Sequence, residues 1–390
     1  MEVEAFERVY EAFGDFHAFL APAFGRKQWR EHSRHYLQAL LVQSQERRNA
    51  ENLAEMVPVS ARAIQRFLTE ARWDDDAVIA RLQEYLGPRL EHPLAVWVFD
   101  GSDFPKQGVK SVGVARQYCG ALGKVANCQA GVFLAHVGPR GRALVDKRLY
   151  LPERWTSDPA RCATAGVPEA QRRYRAKTDL ALEMLRQARA RGYLSAGWAA
   201  GDDAFGMSPG FRDGLTAEGM QYVLDVPPDT PVWPLEPTWS SPAYHGRGRP
   251  PQPKPRQEER LTVEERSLVQ PQEAWHEITV AEGVQGPRTY WFSAERIRET
   301  RNRKPRLVGV GCSGRSTART WTAASLATTS PTPPRTLPWR LWPAWEGRGG
   351  PLRPSSRPRR ATWGWMSTRH GRGPGGTTTS PCACWPGRFS

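Results

Sequence analysis

Apolar side chains return every three or four positions at the start of the chain. Phe6, Val9, Tyr10, Phe13, Phe16 and Phe19 fall on one helical face. A second such run carries Trp29, His35, Tyr36, Leu40 and Leu41. Asn52 to Val57 then reads as a short helix, broken at Pro58, and Ser60 is placed to cap a further helix from Ala61 to Leu68. The pattern predicts a helical region over 1–90. Two short helices about a tight break fit a helix-turn-helix with Arg62, Gln65 and Arg66 toward DNA. They also fit an ordinary helical bundle with those residues on its solvated side.

Around Gly87-Pro88 the period changes. Leu94 to Phe99 is a continuous apolar run ending at Asp100, as expected of a central strand buried on both faces. Ala126 to His136 and Arg142 to Leu151 are two more strand-like runs, joined by Gly138-Pro139-Arg140-Gly141, which suits a hairpin turn. Lys177 to Arg191 predicts a helix stopped by Gly192. Ala196 to Gly201 leads into Asp202, and another helix and the strand Gln221 to Val226 follow. The order strand, strand, strand, helix, strand, helix, strand implies an α/β fold with a mixed sheet whose first and fourth strands can lie side by side. Asp100 and Asp202 would then both stand just past strand carboxyl ends, where open α/β sheets place ligands.

Pro227 to about Pro255 is rich in Pro, Gly and Arg and reads as a loop or linker. Within it Arg247-Gly248-Arg249-Pro250 matches a minor-groove hook, or else a basic solvated linker. Alternation returns at Trp275 to Val280 and Arg288 to Phe292, predicting a small β-rich insertion. The expected organisation is 1–90 helical, 91–228 a catalytic core, 229–306 linker and insertion, and 307–390 a low-complexity tail.

Charge changes the picture only in part. Of the formal +15, Gly311 to Ser390 holds twelve Arg, no Lys and one acid, Glu346, which is 12 − 1 = +11 and leaves +4 for the rest. A nucleic-acid reading therefore cannot rest on the overall basicity. The six cysteines show no paired zinc-ligand spacing and read as free thiols in a reducing compartment. With no signal peptide at the start and no stretch near the roughly eighteen apolar residues of a membrane helix, the expectation is a soluble, cytoplasmic protein.

Two carboxylates from separate strand ends can hold divalent ions for in-line displacement at a phosphodiester, although Asp at strand ends is also a common turn former. The surrounding residues are more specific. Phe99-Asp100-Gly101-Ser102-Asp103-Phe104-Pro105-Lys106-Gln107-Gly108 is followed by Ser111-Val112-Gly113-Val114-Ala115-Arg116-Gln117-Tyr118-Cys119-Gly120, then Gly123-Lys124 and Asn127-Cys128-Gln129. With Leu149-Tyr150-Leu151-Pro152, Trp155, Ala165-Gly166-Val167-Pro168, and Gly201-Asp202-Asp203 before Phe205-Gly206, this block resembles the DDE-type insertion-sequence transposases over about three quarters of the chain. The resemblance implies an RNase H-like core with Asp100 and Asp202 as catalytic metal ligands. It implies Mg²⁺ or Mn²⁺ as cofactor, and cleavage and joining of DNA at element ends. DNA and further copies of the active chain are the expected partners, and no membrane. Lys106, Arg116 and Lys124 are candidates for backbone phosphate contacts, alongside Arg62, Arg66, Arg247 and Arg249, or else solvated surface cations. Asp103 and Asp203 read as supporting or surface acids.

The resemblance stops before the family's third acid, which lies in a helix reading approximately Arg-Trp-x-Ile-Glu with a Lys seven residues on. Gly311 to Ser390 contains no Val, Ile, Tyr, Asp, Asn, Gln or Lys, and its Arg, Gly, Pro, Thr and Trp predict a disordered tail without strands or a core helix. A shifted reading frame explains it. Reading the last base of each codon with the first two of the next, Trp363-Gly364 must give Gly and Trp365-Met366 must give Asp. Gly349 to Arg353 can give Arg-Trp-Ala-Ile-Glu, and Arg360 can give Lys at the family's spacing. The switch falls near Val308 to Cys312, and the chain as written is expected to be an inactive transposase by ancestry. The alternatives are a non-enzymatic DNA-binding repressor of transposition, and an unrelated nuclease using Asp103 or Asp203 as third ligand.

Overall fold

The structure is a computed structural model that describes residues 3–43, 48–241, 243–246, 248–249, 251–283, 286–301, 304–316 and 319–328. The helical start is as the periodicity predicts: α1 (Val3–Leu20), α2 (Lys27–Val42), α3 (Ala50–Ala54), α4 (Ala61–Thr69) and α5 (Asp75–Leu90). The Ser60 hydroxyl accepts from the Ala63 N–H at 3.2 Å and starts α4. Ala39, Leu53, Val57 and Ile64 bind α2, α3 and α4 into one apolar cluster. The first turns of α1 depart from the pattern, since Val9 and Tyr10 are exposed. Helix α5 leaves this cluster and docks on the sheet, where Gln83 Nε2 donates to the Val145 carbonyl at 2.9 Å and Lys147 pairs with Asp75.

The sheet is built from β1 (Val96–Pro105), β2 (Ala115–Cys119), β3 (Lys124–Gly138), β4 (Gly141–Tyr150), β5 (Trp198–Gly201) and β6 (Gln221–Val226). Strand β3 runs antiparallel to β1 on one side and to β2 and β4 on the other. Strands β5 and β6 follow β1 in parallel register. This is a mixed α/β sheet of RNase H type, and the first and fourth predicted strands, β1 and β5, are neighbours. Strand β2 escaped the sequence reading because its five residues sit between turn-rich segments. Two short helices, α6 (Glu153–Thr156) and α7 (Pro159–Thr164), follow β4. Helix α8 (Lys177–Arg191) has the predicted bounds and ends on Gly192 at φ 72°. After β5 come α9 (Asp203–Gly206) and α10 (Pro209–Ala217).

Alternation divides the sheet into two faces. Trp97, Phe99, Val132, Leu134, Ala199, Tyr222 and Leu224 pack with Leu180, Met184 and Leu185 of α8, Phe205 of α9, Phe211 and Leu215 of α10, and Leu90 of α5. These helices therefore share one face. Val98, Ala135 and Val137, with Val96 and Ala200, form a separate cluster on the other.

Beyond β6 lie β7 (Pro231–Pro234), β8 (Trp239–Ser240), β9 (Lys254–Pro255), β10 (Leu261–Thr262), α11 (Val263–Leu268), β11 (His276–Gly283), β12 (Gly286–Arg301), β13 (Lys304–Ser316) and β14 (Arg319–Thr328). The β-rich insertion is present, but it is continuous with the main sheet: β12 pairs β13, β13 pairs β14, and β14 pairs β6 with Ala324 opposite Val226. Strands thus run past Gly311, beyond where composition predicts them to stop. The ladder needs only backbone N–H and C=O groups, and Gly311 to Thr328 contains no proline. Residues 329–390, which include Arg353 and Arg360, lie outside the described residues, as does Arg247. No described helix is long and apolar enough to cross a membrane.

Candidate active site

Strands β1 and β5 pair in parallel from Val96↔Trp198 to Phe99↔Gly201, so the next pair in register is Asp100 and Asp202. Strand β1 does not stop at Asp100, as the apolar run predicts, but continues to Pro105 because β3 pairs with it throughout, whereas β5 stops at Gly201. Adjacent strands lie about 4.8 Å apart, close enough for two neighbouring carboxylates to share a metal site. Both residues fall on the face of Val98 and Ala200, away from the helices. Asp202 stays extended, at φ −74° and ψ −177°, and caps α9 by accepting from the Ala204 N–H at 3.1 Å. Asp100 Oδ1 accepts from the Gly101 N–H at 2.7 Å. Both carboxylates are half-buried.

The turn carrying Asp202 is fixed from behind. Gly206 lies so close to β6 that a Cβ there would overlap the Asp225 carbonyl. The buried Arg212 guanidinium donates to the Gly206 carbonyl and pairs with buried Glu299 of β12. Strand, glycine approach and ion pair together leave the Asp202 backbone one position.

Strand β6 extends the row. Its register with β5, Trp198↔Gln221 to Gly201↔Leu224, sets Asp225 beside Asp202 on the same face. Sequence reasoning missed this residue, although a lone carboxylate within the apolar run Tyr222 to Val226 was a signal. Asp225 is two strand spacings from Asp100, about 10 Å. Among the described residues no group of three or more His, Cys, Asp or Glu converges on one metal position.

Asp103 belongs elsewhere. It is an odd number of residues from Asp100 and so faces the helices, where it is buried. Its Oδ2 accepts from the Gly120 N–H at 2.6 Å, and its Oδ1 lies 3.7 Å from Lys177 Nζ at the start of α8. Asp203 is exposed at the first position of α9. Cys119, Cys128 and Cys162 are free thiols and are buried. Burial pushes the Cys128 thiol up to about 12, with Cys119 and Asp103 adding to the effect.

The cations divide. Lys106 continues the β1–β3 ladder, its N–H donating to the Asn127 carbonyl at 2.9 Å, and Arg116 pairs with Asn127 across β2 and β3. Alternation places both on the carboxylate face and Lys124 on the other. Arg116 and Lys124 are exposed. Arg62 and Arg66 sit on exposed positions of α4, in the separate α2–α4 cluster, and Arg66 Nε is 3.0 Å from Glu70. Arg249 is exposed in the loop before β9.

Comparison with known proteins gives an extended family match. Residues 19–287 match the family described as DDE superfamily endonuclease. None of the curated proteins matches. Among solved structures, the Drosophila P element transposase strand transfer complex aligns at TM-score 0.25 and 13% identity, over 49% of this chain and 36% of that one. A likeness so slight carries no argument.

Proposed function

Because the chain belongs to the DDE endonuclease superfamily, we propose that Asp100 and Asp202 are the metal-binding carboxylates of a transposase-type nuclease acting on DNA. The observation that carries this reading is their placement opposite one another, one step past the last parallel pair of β1 and β5, on one face of the sheet. Half-buried carboxylate oxygens are the hard donors that Mg²⁺ and Mn²⁺ take. A metal held there supplies Lewis-acid activation of the attacking and leaving oxygens of a phosphodiester. The protein's own part is orientation: the parallel register sets the spacing, and Gly206 and Arg212 hold the Asp202 turn. Lys106 and Arg116, on the same face, would contact the nucleic-acid backbone.

The chain as written is a poor catalyst on this reading, because Asp103 faces away and Arg353 stands where a frame-corrected chain has Glu. Two carboxylates leave the metal site under-coordinated, and loss of a direct ligand costs more than the about 10–100-fold in metal affinity or activity that follows loss of a residue orienting one. The test is the nucleotide sequence over codons 300–320 together with assays of both proteins. The unaltered chain should fail to nick or join element-end DNA with Mg²⁺ or Mn²⁺. A one-base correction should restore strand transfer, and Asp100→Ala in the corrected protein should abolish it while DNA binding persists. Robust metal-dependent cleavage by the unaltered chain would overturn the inactive reading.

A further inference from the structure

The excess positive charge outside the tail has one strong local source. From Phe104 to Val145 the chain carries Lys106, Lys110, Arg116, Lys124, Arg140 and Arg142 and not a single Asp or Glu. Three of those cations, Lys106, Lys110 and Arg116, lie in or beside the loop from Lys106 to Val114, which links β1 to β2.

That loop crosses the carboxylate face of β3 and is pinned from beneath. Asn127 Nδ2 donates to the Lys106 and Gly108 carbonyls at 2.8 and 2.9 Å, and Gln129 Nε2 to the Val112 carbonyl at 2.7 Å. Trp155 Nε1 donates to the Val114 carbonyl at 2.8 Å. Arg161, stacked 3.7 Å from the centre of the Trp155 ring, donates to the Val109 carbonyl at 2.8 Å. Gly113, at φ 77°, passes so near the Tyr150 carbonyl that a Cβ would stand 2.9 Å from it. Every one of these side-chain donors is spent on a carbonyl on the inner side. The outer edge, Gln107 to Ser111, is exposed, and neither Lys110 nor Arg116 has an ion pair among the described residues.

Position then selects the occupant. Lys106, Asn127 and Arg116 form a row across three strands, which sets the two cations about 10 Å apart. Six extended residues separate Asp100 from Lys106 on the same face, roughly 20 Å. Nucleic acid advances about 3.4 Å per nucleotide of one strand, so some six nucleotides span that gap.

We propose that the Lys106–Val114 loop, with Arg116, is a preformed clamp for the phosphate backbone of duplex DNA flanking the bond at Asp100 and Asp202. This rests on the nuclease reading above. Lys110 and Arg116 make the phosphate contacts. Asn127, Gln129, Trp155 and Arg161 are positioning residues that order the loop before DNA arrives, so that binding does not bear that entropy cost.

The test measures binding of the full chain to a labelled DNA duplex over a salt series. Lys110→Ala and Arg116→Ala should each reduce the slope of log affinity against log salt by about 1, while Lys110→Arg retains it. Asn127→Ala should weaken binding several-fold with the slope unchanged, because it loosens the loop without removing a cation. Circular dichroism confirms that each variant is folded, and the two surface variants decide the matter if Asn127→Ala is not. Tight binding by the unaltered chain with unchanged slopes in both surface variants would overturn the clamp alone. No duplex binding at low salt would overturn both the clamp and the nuclease reading.

Discussion

Asp103 Oδ1 lies 3.7 Å from Lys177 Nζ on the helix side of β1, while Asp100, three residues earlier, faces the opposite side. Strand alternation alone separates the two carboxylates, and the contact to Lys177 holds the separation. Asp103→Ala should therefore leave Mn²⁺ affinity unchanged, while Asp100→Ala lowers it. The same Asp103 variant should lose stability, because the partly buried Gly120 N–H loses its acceptor, a cost of about 1 kcal/mol. Calorimetric titration with Mn²⁺ and urea unfolding read the two effects separately. A drop in Mn²⁺ affinity matching that of Asp100→Ala would return Asp103 to the metal site.

Gly206→Ala tests the close approach of α9 to β6. The new methyl would overlap the Asp225 carbonyl, which is backbone and cannot swing aside. Overpacking at such a site costs about 1–3 kcal/mol and must move the turn that begins at Asp202. Urea unfolding should show the loss, and Mn²⁺ affinity should fall with it even though no carboxylate has changed. Ordinary stability together with ordinary Mn²⁺ affinity would show that the approach does not position Asp202.

His136 supplies a pH dependence. It is fully buried, its Nδ1 lies 3.2 Å from Trp97 Nε1, and its Nε2 lies 3.2 Å from the Leu90 carbonyl. The indole N–H can only donate, so Nδ1 accepts and the neutral ring fits. Burial lowers the His136 pKa, opposed in part by the Leu90 carbonyl. The unfolded chain then binds a proton that the folded chain refuses. Stability is full above the ordinary histidine value of about 6.5 and falls below it, by up to about 1.4 kcal/mol per pH unit for this residue. Urea midpoints measured from pH 8 down to 5 should decline. His17 and His35 have pKa values lowered by burial in the same way, so His136→Gln should flatten the decline only in part. A decline identical in His136→Gln would remove His136 from the account.

The parts of the fold written in hydrophobic period were legible. Helix α8 and strand β6 have the bounds their apolar positions predict, and Asp202 follows β5 where the run Ala196–Gly201 stops, whereas Asp100 lies inside β1, which continues to Pro105 against β3. What stayed hidden depends on pairing across long separations. Asp225 enters the carboxylate row only through the register of β6 on β5, and Asp103 leaves it only through the twofold alternation of β1. The pinned loop was equally silent, because Asn127, Gln129, Trp155 and Arg161 reach it from three different elements. Strands β13 and β14 ran against composition, because a backbone ladder does not require aliphatic side chains.

The pairing of β14 with β6 also bears on how the chain is made. Val226 meets Ala324 only after almost a hundred further residues have been synthesised. Until then β6 is an outer strand with unsatisfied N–H and C=O groups along one side, the arrangement that recruits strands from other chains. During synthesis at about 5–20 residues per second, that edge stays open for some seconds. A nascent chain halted anywhere between β6 and β14 would carry a sticky margin next to Asp225, and aggregation would compete with completion of the sheet.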